Sequence, residues 1–431
     1  QLGIKDGEVY IRNTKSTILH YRNGEIEALK QEDELGASIR VLNDKKLGFS
    51  YTTSLLKDQF TSAIRRAYEF SKFAQVNPYY NILQENLPSK DVKIYDPEIP
   101  ELSVGMLEDF AKRIERSARE YDNRIKAFRV ISIQKGESII NLINSYGVEK
   151  GYKLTFIYFL VELIAEDENE REMGLEMALS PILYVIDPEE VGRTAASKAI
   201  SALGGKVYKT GKYPVIFNPE TVAELLGALA PAFSGENVMK GKSLYIEMLG
   251  QKIASSTVTL VNDGTIPSGV ASSPFDDEGT PTRRVELISN GILNSYLHTL
   301  YSASYFGVES TGSGFRSSIK SLPSVSPANL HFSPGVKSPR DIIGIVNKGI
   351  YITSLIGAHT INPISGDFSV GITGHLIENG EITFPVKGMT LAGNIKDFLN
   401  RIVEIGNDLR FFPRGVGGST ILVEDLSIGG K

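Results

Sequence analysis

The chain has 431 residues, more than one ordinary hydrophobic core organises, so two domains are expected. Its formal charge of −5, with no basic run beyond short pairs, argues against nucleic-acid binding, because phosphate contacts need concentrated Lys and Arg. The absence of cysteine excludes disulfides, thiolate metal ligands and cysteine nucleophiles, and no apolar run reaches the roughly 18 residues of a membrane span.

The N-terminal half is predicted to alternate strands with amphipathic helices. Its first residues lack the charged start and apolar core of a signal peptide, so a cytoplasmic location is expected. Alternating residues around Asn23-Gly24 predict a hairpin, and two further strands turn at residues 43–46. Apolar residues at helical spacing predict helices from Asp58 and after Ser103, and residues 77–100 are predicted as a surface connection.

Strands are predicted from residue 126 onward, up to a helix that begins near residue 187. Residues 154–168 are compatible with a strand or a buried helix by periodicity alone. Asp187-Pro188-Glu189-Glu190 predicts a helix start, because Asp caps, Pro suits the first turn and acidic residues favour the positive end of the dipole. We expect this helix to stop at Gly204-Gly205 and place the domain boundary at about residues 209–212.

The C-terminal half is predicted to be rich in strands. An apolar strand at 213–217 precedes a helix at 219–233, and a late helix is predicted at 394–409. Strands are predicted at residues 242–248, 252–263, 282–288 and 292–300, with a hairpin at Asn290-Gly291. The fold class is therefore α+β: an N-terminal α/β domain (1–208) with an antiparallel sheet and helices, and a C-terminal, mainly antiparallel, barrel-like domain (212–431).

Residues 356–394 are predicted as two strands joined at Asn379-Gly380, after a cluster of turn residues at 362–367. Glycines at 357, 366, 371 and 374 leave little side-chain bulk, which suits the close approach of another backbone. The alternative is a glycine-rich edge hairpin without a binding function, since glycines in loops most often allow tight turns.

The same segment resembles the C-terminal signature of the TldD/PmbA family, which is also labelled "modulator of DNA gyrase". The matching motifs are Asn362-Pro-x-Ser-Gly-Asp367, Glu378-Asn-Gly-Glu381 and Leu391-Ala-Gly-Asn394, with Tyr21-Arg-Asn-Gly-Glu25 and Ser145-Tyr-Gly147 further upstream. The resemblance implies a two-subunit metallopeptidase, in which a TldD chain works with a TldE (PmbA-type) chain. It also favours a strand for residues 154–168.

In TldD-type chains the helix at 219–233 resembles a zinc-peptidase helix with a His-Glu-x-x-x-His motif. Laid on this sequence, the motif places its histidines at Gly227 and Ala232 and its glutamate at Ala228, and none of these side chains can bind a metal or move a proton. The resemblance thus implies a TldE/PmbA-type subunit with no catalytic residue, metal or cofactor of its own, and zinc on a TldD-like partner. His359 and His375 could form a metal pair if the strands fold back, but strand histidines more often satisfy local hydrogen bonds.

The strongest polar constellation is Asp276, Asp277 and Glu278, followed by Gly279. Neighbouring carboxylates can do acid/base work or bind a cation, and the alternative is a solvated turn capped by carboxylates. The family carries a similar Asp-x-Glu-Gly in both subunit types, which implies a structural or peptide-positioning task.

We therefore hypothesise a subunit that holds unfolded peptides for degradation or maturation and completes the cleft of its partner. An extended peptide would add as a strand to an exposed sheet edge, with the glycine-rich segment lining the cleft. The predicted peptide-binding residues are Asp276, Asp277, Glu278, Gly279, Asn362, Gly366, Asp367 and His359. The alternatives are a stand-alone peptide-binding or chaperone-like module and an independent hydrolase using residues 276–278. No nucleic acid or membrane is expected as a partner, and the isolated chain could form a homodimer.

Overall fold

The computed structural model describes residues 3–168 and 170–431. The N-terminal strands are β1 (Asp6–Arg22), β2 (Glu25–Asn43), β3 (Lys46–Thr52), β4 (Ile125–Asn144), β5 (Glu149–Asp167) and β6 (Glu170–Ser180). The helices of this half are α1 (Lys57–Phe73), α2 (Glu98–Glu101), α3 (Val104–Tyr121) and α4 (Pro188–Ala202). The strands form one antiparallel sheet in the order β3-β2-β1-β4-β5-β6.

Two groups of helices pack on one face of this sheet. α3 and α4 bury apolar side chains such as Ile114 and Ala195 against Ile131 of β4. α1 packs Ala63 and Ala67 against the start of the sheet. Its backbone comes so close to β3 that a Cβ on Gly48 would lie 1.8 Å from the Ala67 carbonyl oxygen, so only glycine fits there.

The C-terminal half is built on a closed barrel. Its first elements are β7 (Gly211–Phe217), α5 (Pro219–Leu229), α6 (Gly235–Met239), β8 (Leu260–Asp263), β9 (Arg284–Ser289), β10 (Ile292–Leu293), α7 (Leu300–Phe306), β11 (Gly314–Phe315), β12 (Ser324–Val325) and β13 (His331–Phe332). There follow α8 (Pro339–Gly344), β14 (Lys348–Ile356), β15 (Asp367–Glu378), β16 (Glu381–Asn394), α9 (Ile395–Asn400), β17 (Ile402–Ile405), β18 (Arg410–Phe412), β19 (Val416–Gly418) and β20 (Ile421–Gly429).

Five of these strands form a barrel in the order β16-β15-β14-β7-β20, which the β16–β20 pairing closes. Only β7 and β14 run parallel. A second sheet has the order β10-β9-β8-β13, while β11 and β12 form a separate pair. α5 contributes Leu225, Leu226 and Leu229 to the core, which also contains the aromatic side chains of Phe217 and Phe398.

The predicted fold class is confirmed, and so are the tight turns at Asn23-Gly24, Asn290-Gly291 and Asn379-Gly380. Residues 154–168 belong almost entirely to strand β5. Asp187 caps α4 by accepting a hydrogen bond from the Glu189 amide at 3.0 Å. The division into residues 1–208 and 212–431 stays a prediction. Among the described residues, no helix is long and apolar enough to cross a membrane.

Several predicted boundaries are wrong. The second strand of the hairpin at Asn23-Gly24 and the first of the two strands that turn at residues 43–46 are one continuous strand, β2. Residues 242–248 form turns, in which the Ser243 hydroxyl donates to the Ala232 carbonyl and accepts from the Tyr245 amide. The strands predicted at 252–263 and 292–300 shrink to β8 and β10. The helix predicted at 394–409 ends at Asn400, because pairing with β20 draws Ile402 and Ile405 into β17.

Candidate functional site

A cleft of about 1560 Å³ lies between the N-terminal sheet and the C-terminal half. Its N-terminal wall is one face of the sheet, formed by Leu154, Phe156 and Tyr158 of β5 with neighbouring side chains of β4 and β6. Alternate residues of a strand point to the same side, so these three side chains stand about 7 Å apart in a row. This wall is mainly apolar and regularly spaced.

Helix α5 forms the opposite wall. Asn218 caps the helix by accepting a hydrogen bond from the Thr221 amide at 2.9 Å. The leucines of α5 point into the core, so the remaining face turns to the cleft. The cleft-lining residues of α5 are Glu220, Ala223, Glu224, Gly227 and Ala228. The helix therefore offers two carboxylates followed by a surface of small residues.

The positions that correspond to the zinc motif of TldD-type chains do not fit a metal site. Gly227 and Ala228 line the cleft, whereas Ala232 is fully buried in a 3-10 turn (Ala230–Phe233) after α5. A Cβ on Gly227 would meet its nearest neighbour, a Val416 methyl group, only at 4.0 Å, so there is room for a side chain but no ligand atom. Among the described residues, no group of three or more His, Cys, Asp or Glu side chains could hold a metal ion.

The carboxylates of α5 differ in their partners. Glu220 accepts from Lys198 of α4 at 2.5 Å, and Lys198 also contacts the buried Glu176 of β6 at 2.6 Å. Glu224 is open to the water of the cleft. Reduced hydration between the walls, followed by the charge of Glu220, raises the pKa of Glu224 to about 7, against the opposing charges of Lys198 and Arg414. Glu224 was not singled out from the sequence, although its spacing of four from Glu220 places both on one helix face.

The glycine-rich segment contributes to the cleft through its first loop. His359, in a 3-10 turn (Ala358–Thr360), lines the cleft. Asn362, Gly366 and Asp367 organise the loop that follows: the Gly366 amide donates to the Asn362 carbonyl, and the Asn394 side chain donates to Asp367 at 2.8 Å. That bond is the first cause of the lowered pKa of Asp367. β15 is paired with β14 and β16 over much of its length, so it does not supply the open edge that a peptide strand needs. β16 is paired with β20 only at residues 390–392 and forms one isolated bridge from Val386 to Lys206, so much of its first half has β15 as its strand partner on one side.

The two histidines of this segment lie in different surroundings. His375 is on β15 opposite Tyr351, and its Nε2 lies 3.1 Å from the Ser201 carbonyl oxygen. Burial lowers the pKa of His375, which favours the neutral imidazole. His359 instead faces the cleft, where His375 is not among the lining residues.

The acidic loop at 276–279 is buried, so the alternative of a solvated turn is wrong. Asp276 and Glu278 are 0% and 1% exposed. Asp276 accepts hydrogen bonds from the amides of Glu278, Thr280 and Gly314 at 2.8–3.0 Å. Burial raises the pKa of Asp276 and raises that of Asp277 to about 6.

A buried ion network connects this loop to the N-terminal sheet. Arg40 of β2 donates to Glu278 at 2.8 Å and to Glu8 of β1 at 2.7 Å. Arg316 donates to Glu8 at 2.9 Å, while its amide donates to Asp277. The loop therefore joins the two halves and does not line the cleft. Sequence reasoning missed Glu8, Arg40 and Arg316, since no local pattern marks partners up to 308 residues apart.

Comparison with known proteins adds independent findings. Domain models described as PmbA/TldA metallopeptidase domain 1, central domain and C-terminal domain match residues 7–71, 97–203 and 210–430. The metalloprotease PmbA of Escherichia coli O157:H7 is 29% identical, over 100% of this chain and 93% of that protein.

Two solved structures are also similar. TldE from Thermococcus kodakarensis has a TM-score of 0.91 at 25% identity and covers 99% of this chain and 97% of its own. A Thermotoga maritima protein described as a modulator of a DNA gyrase has a TM-score of 0.90 at 29% identity, with 98% and 96% coverage.

Proposed function

Since the chain belongs to the PmbA/TldD metallopeptidase family, we propose that it is the non-metal subunit of a TldD/TldE-type heteromeric metallopeptidase. In this role it holds an unfolded peptide and completes the cleft of a TldD-like partner. The partner binds the zinc ion and hydrolyses the peptide bond, which leads to degradation or maturation of the substrate.

One observation carries the proposal: α5 presents Gly227 and Ala228 to the cleft, where a metal-binding relative would present ligands. The cleft nevertheless keeps a volume of about 1560 Å³ and a mainly apolar wall. Pockets of this kind bind ligands by shape and by a few polar groups, and small residues let a main chain approach closely. The similarity to TldE supports the same assignment.

The predicted site residues take different parts in this proposal. His359 would contact the peptide directly, because it lines the cleft. Asn362, Gly366 and Asp367 would act by shaping the loop that carries His359, through the hydrogen bonds among them and Asn394. Asp276, Asp277, Glu278 and Gly279 would position the C-terminal half against the N-terminal sheet.

The buried loop does not favour an independent hydrolase. All three carboxyl groups accept hydrogen bonds inside the protein, and none of them lines the cleft. Glu278 lines the neighbouring cavity of about 270 Å³, where Arg40 and the Leu300 amide already donate to its carboxylate. A stand-alone peptide-binding module shares the same cleft. It differs from the proposed subunit in having no stoichiometric partner when the native protein is purified.

The test is to reconstitute the chain with its TldD-like counterpart. Bound zinc is measured by elemental analysis, and cleavage of an unstructured fluorogenic peptide is measured for each chain alone and for the pair. We expect zinc to follow the counterpart and the pair to exceed either chain in cleavage. A counterpart lacking its motif histidines is the matched control and should leave the pair inactive.

Two results would contradict the proposal. Stoichiometric zinc on this chain's own side chains, with unaided turnover, would make it a metalloenzyme in its own right. Cleavage by the pure chain in the presence of a chelator would identify an independent hydrolase.

A further inference from the structure

A short strand presents an open edge to the cleft. β12 is paired with β11 and with no other strand in the described part of the chain. Residues 324–327 line the cleft, and Ser324 also lines a neighbouring cavity of about 270 Å³. The strand therefore lies where an extended ligand could pass from one cavity into the other.

The hydrogen bonds of β11 and β12 show which backbone groups face outward. The Ser326 amide donates to the Ser313 carbonyl at 3.0 Å, which makes these residues a hydrogen-bonded pair. In an antiparallel ladder such pairs alternate with pairs whose polar groups point away from the partner strand. The next pair, Val325 opposite Gly314, is of this second kind.

The outward groups of Gly314 have partners, whereas those of Val325 do not. The Gly314 carbonyl accepts from the Asp277 amide at 2.9 Å, and the Gly314 amide donates to the Asp276 carboxylate at 2.8 Å. For Val325, no hydrogen bond to the amide or the carbonyl comes from residues 3–168 or 170–431. The buried acidic loop thus holds β11 on one side, and Val325 leaves one donor and one acceptor free on the other.

Prolines limit this edge to a single residue. Pro323 and Pro327 occupy the next positions of the same parity, and proline has no amide hydrogen to donate. Prolines on edge strands prevent pairing with another sheet, which needs a run of donors. The edge therefore suits a peptide that pairs through one residue and excludes a long strand of a second copy.

We propose that Val325 binds the main chain of an extended peptide through its amide and carbonyl, at one residue of that peptide. The inference rests on the proposed function and names the edge at which strand addition occurs. Neighbouring side chains of the peptide would lie along the row formed by Leu154, Phe156 and Tyr158, whose spacing of about 7 Å matches alternate residues of an extended chain. Asp276 and Asp277 are then positioning residues, because they bond the backbone of β11.

The test uses the full chain and a fluorescein-labelled, unstructured ten-residue peptide whose binding is measured by fluorescence anisotropy. A series of peptides carries one N-methyl group, moved along the sequence. We expect the peptide methylated at one position to bind about tenfold more weakly, which is about the loss that one missing hydrogen bond causes. Peptides methylated at the neighbouring positions should bind nearly as tightly as the unmodified peptide. The Val325→Pro variant should bind the unmodified peptide with the same loss, because it lacks the amide hydrogen but keeps the ladder to β11.

Val325→Ala is the control, since it keeps the amide and should bind within about twofold of the wild type. Amide hydrogen exchange supplies a second readout: exchange at Val325 should slow when the peptide is added. Equal binding of all methylated peptides and unchanged exchange at Val325 would overturn the proposed edge while leaving the subunit assignment intact. If the peptide binds neither the wild-type chain nor its complex with the TldD-like counterpart, the proposed function itself fails.

Discussion

The buried loop at 276–279 and the cleft face of α5 are opposites in sequence and in role. The loop has three consecutive carboxylates, and the structure places them inside the protein with hydrogen bonds to backbone amides and arginines. The cleft face has small residues, with carboxylates near its start. The comparison shows that the consecutive carboxylates belong to the contact between the two halves, whereas the surface open to a ligand carries mainly glycine and alanine.

Replacing Arg40 should have the largest effect, because it tests the contact between the two halves. Arg40→Ala leaves Glu8 and Glu278 buried without their shared partner, and such losses cost about 3–5 kcal/mol of unfolding free energy. Urea denaturation followed by circular dichroism measures the change. The matched control is Arg22→Ala, which removes an exposed ion pair with Glu27 and should cost about 1 kcal/mol or less.

If both arginine variants lost equally little unfolding free energy, the buried ion network would be no more important for stability than an exposed ion pair, and the comparison would fail. A large loss for Arg40→Ala alone would confirm that the consecutive carboxylates serve the contact between the halves. Peptide affinity measured below the denaturation range separates this effect on stability from any effect on binding.

Filling the cleft tests the other region. Gly227→Leu should weaken binding of the unstructured peptide by about tenfold or about 1.4 kcal/mol, because the side chain enters space that is open at present. Stability should stay level or rise by about 0.5–1 kcal/mol, since glycine is a poor helix former. Gly227→Ala controls for the helix effect and should leave binding nearly unchanged. A stability loss above about 2 kcal/mol would show that Gly227 is packed against neighbours and does not face open space.

The sequence predicts local features well and long-range partnerships poorly. The three Asn-Gly turns and the Asp187 cap depend on residues close in sequence, and the structure confirms each. The helix predicted at 394–409 fails because pairing with β20 outweighs helical spacing. The outward direction of the Val325 amide could not be predicted from the sequence either, since it depends on the hydrogen bond between Ser326 and Ser313.

The smallest expected effect concerns the protonation of Glu224, an exposed acidic residue on the cleft face of α5. Its pKa of about 7 lies above the ordinary value of about 4.5, mainly through reduced hydration and then through Glu220. Between these pH values the folded chain keeps a proton that the unfolded chain has released, so this contribution to stability is complete below pH 4.5 and is lost as the pH rises through 7. The effect on stability should be slight, since the residue is exposed to water.

The carboxyl carbon of Glu224, followed by NMR, should titrate with a midpoint near pH 7, and the signal should be missing in Glu224→Gln. As the carboxylate forms, a lysine-containing peptide should gain affinity over its norleucine analogue, because the negative charge then attracts the ammonium group. The Glu224→Gln variant should bind the two peptides with equal affinity at every pH. A midpoint near 4.5 would mean that the walls do not reduce the hydration of Glu224, and the cleft would then be as open as a free surface.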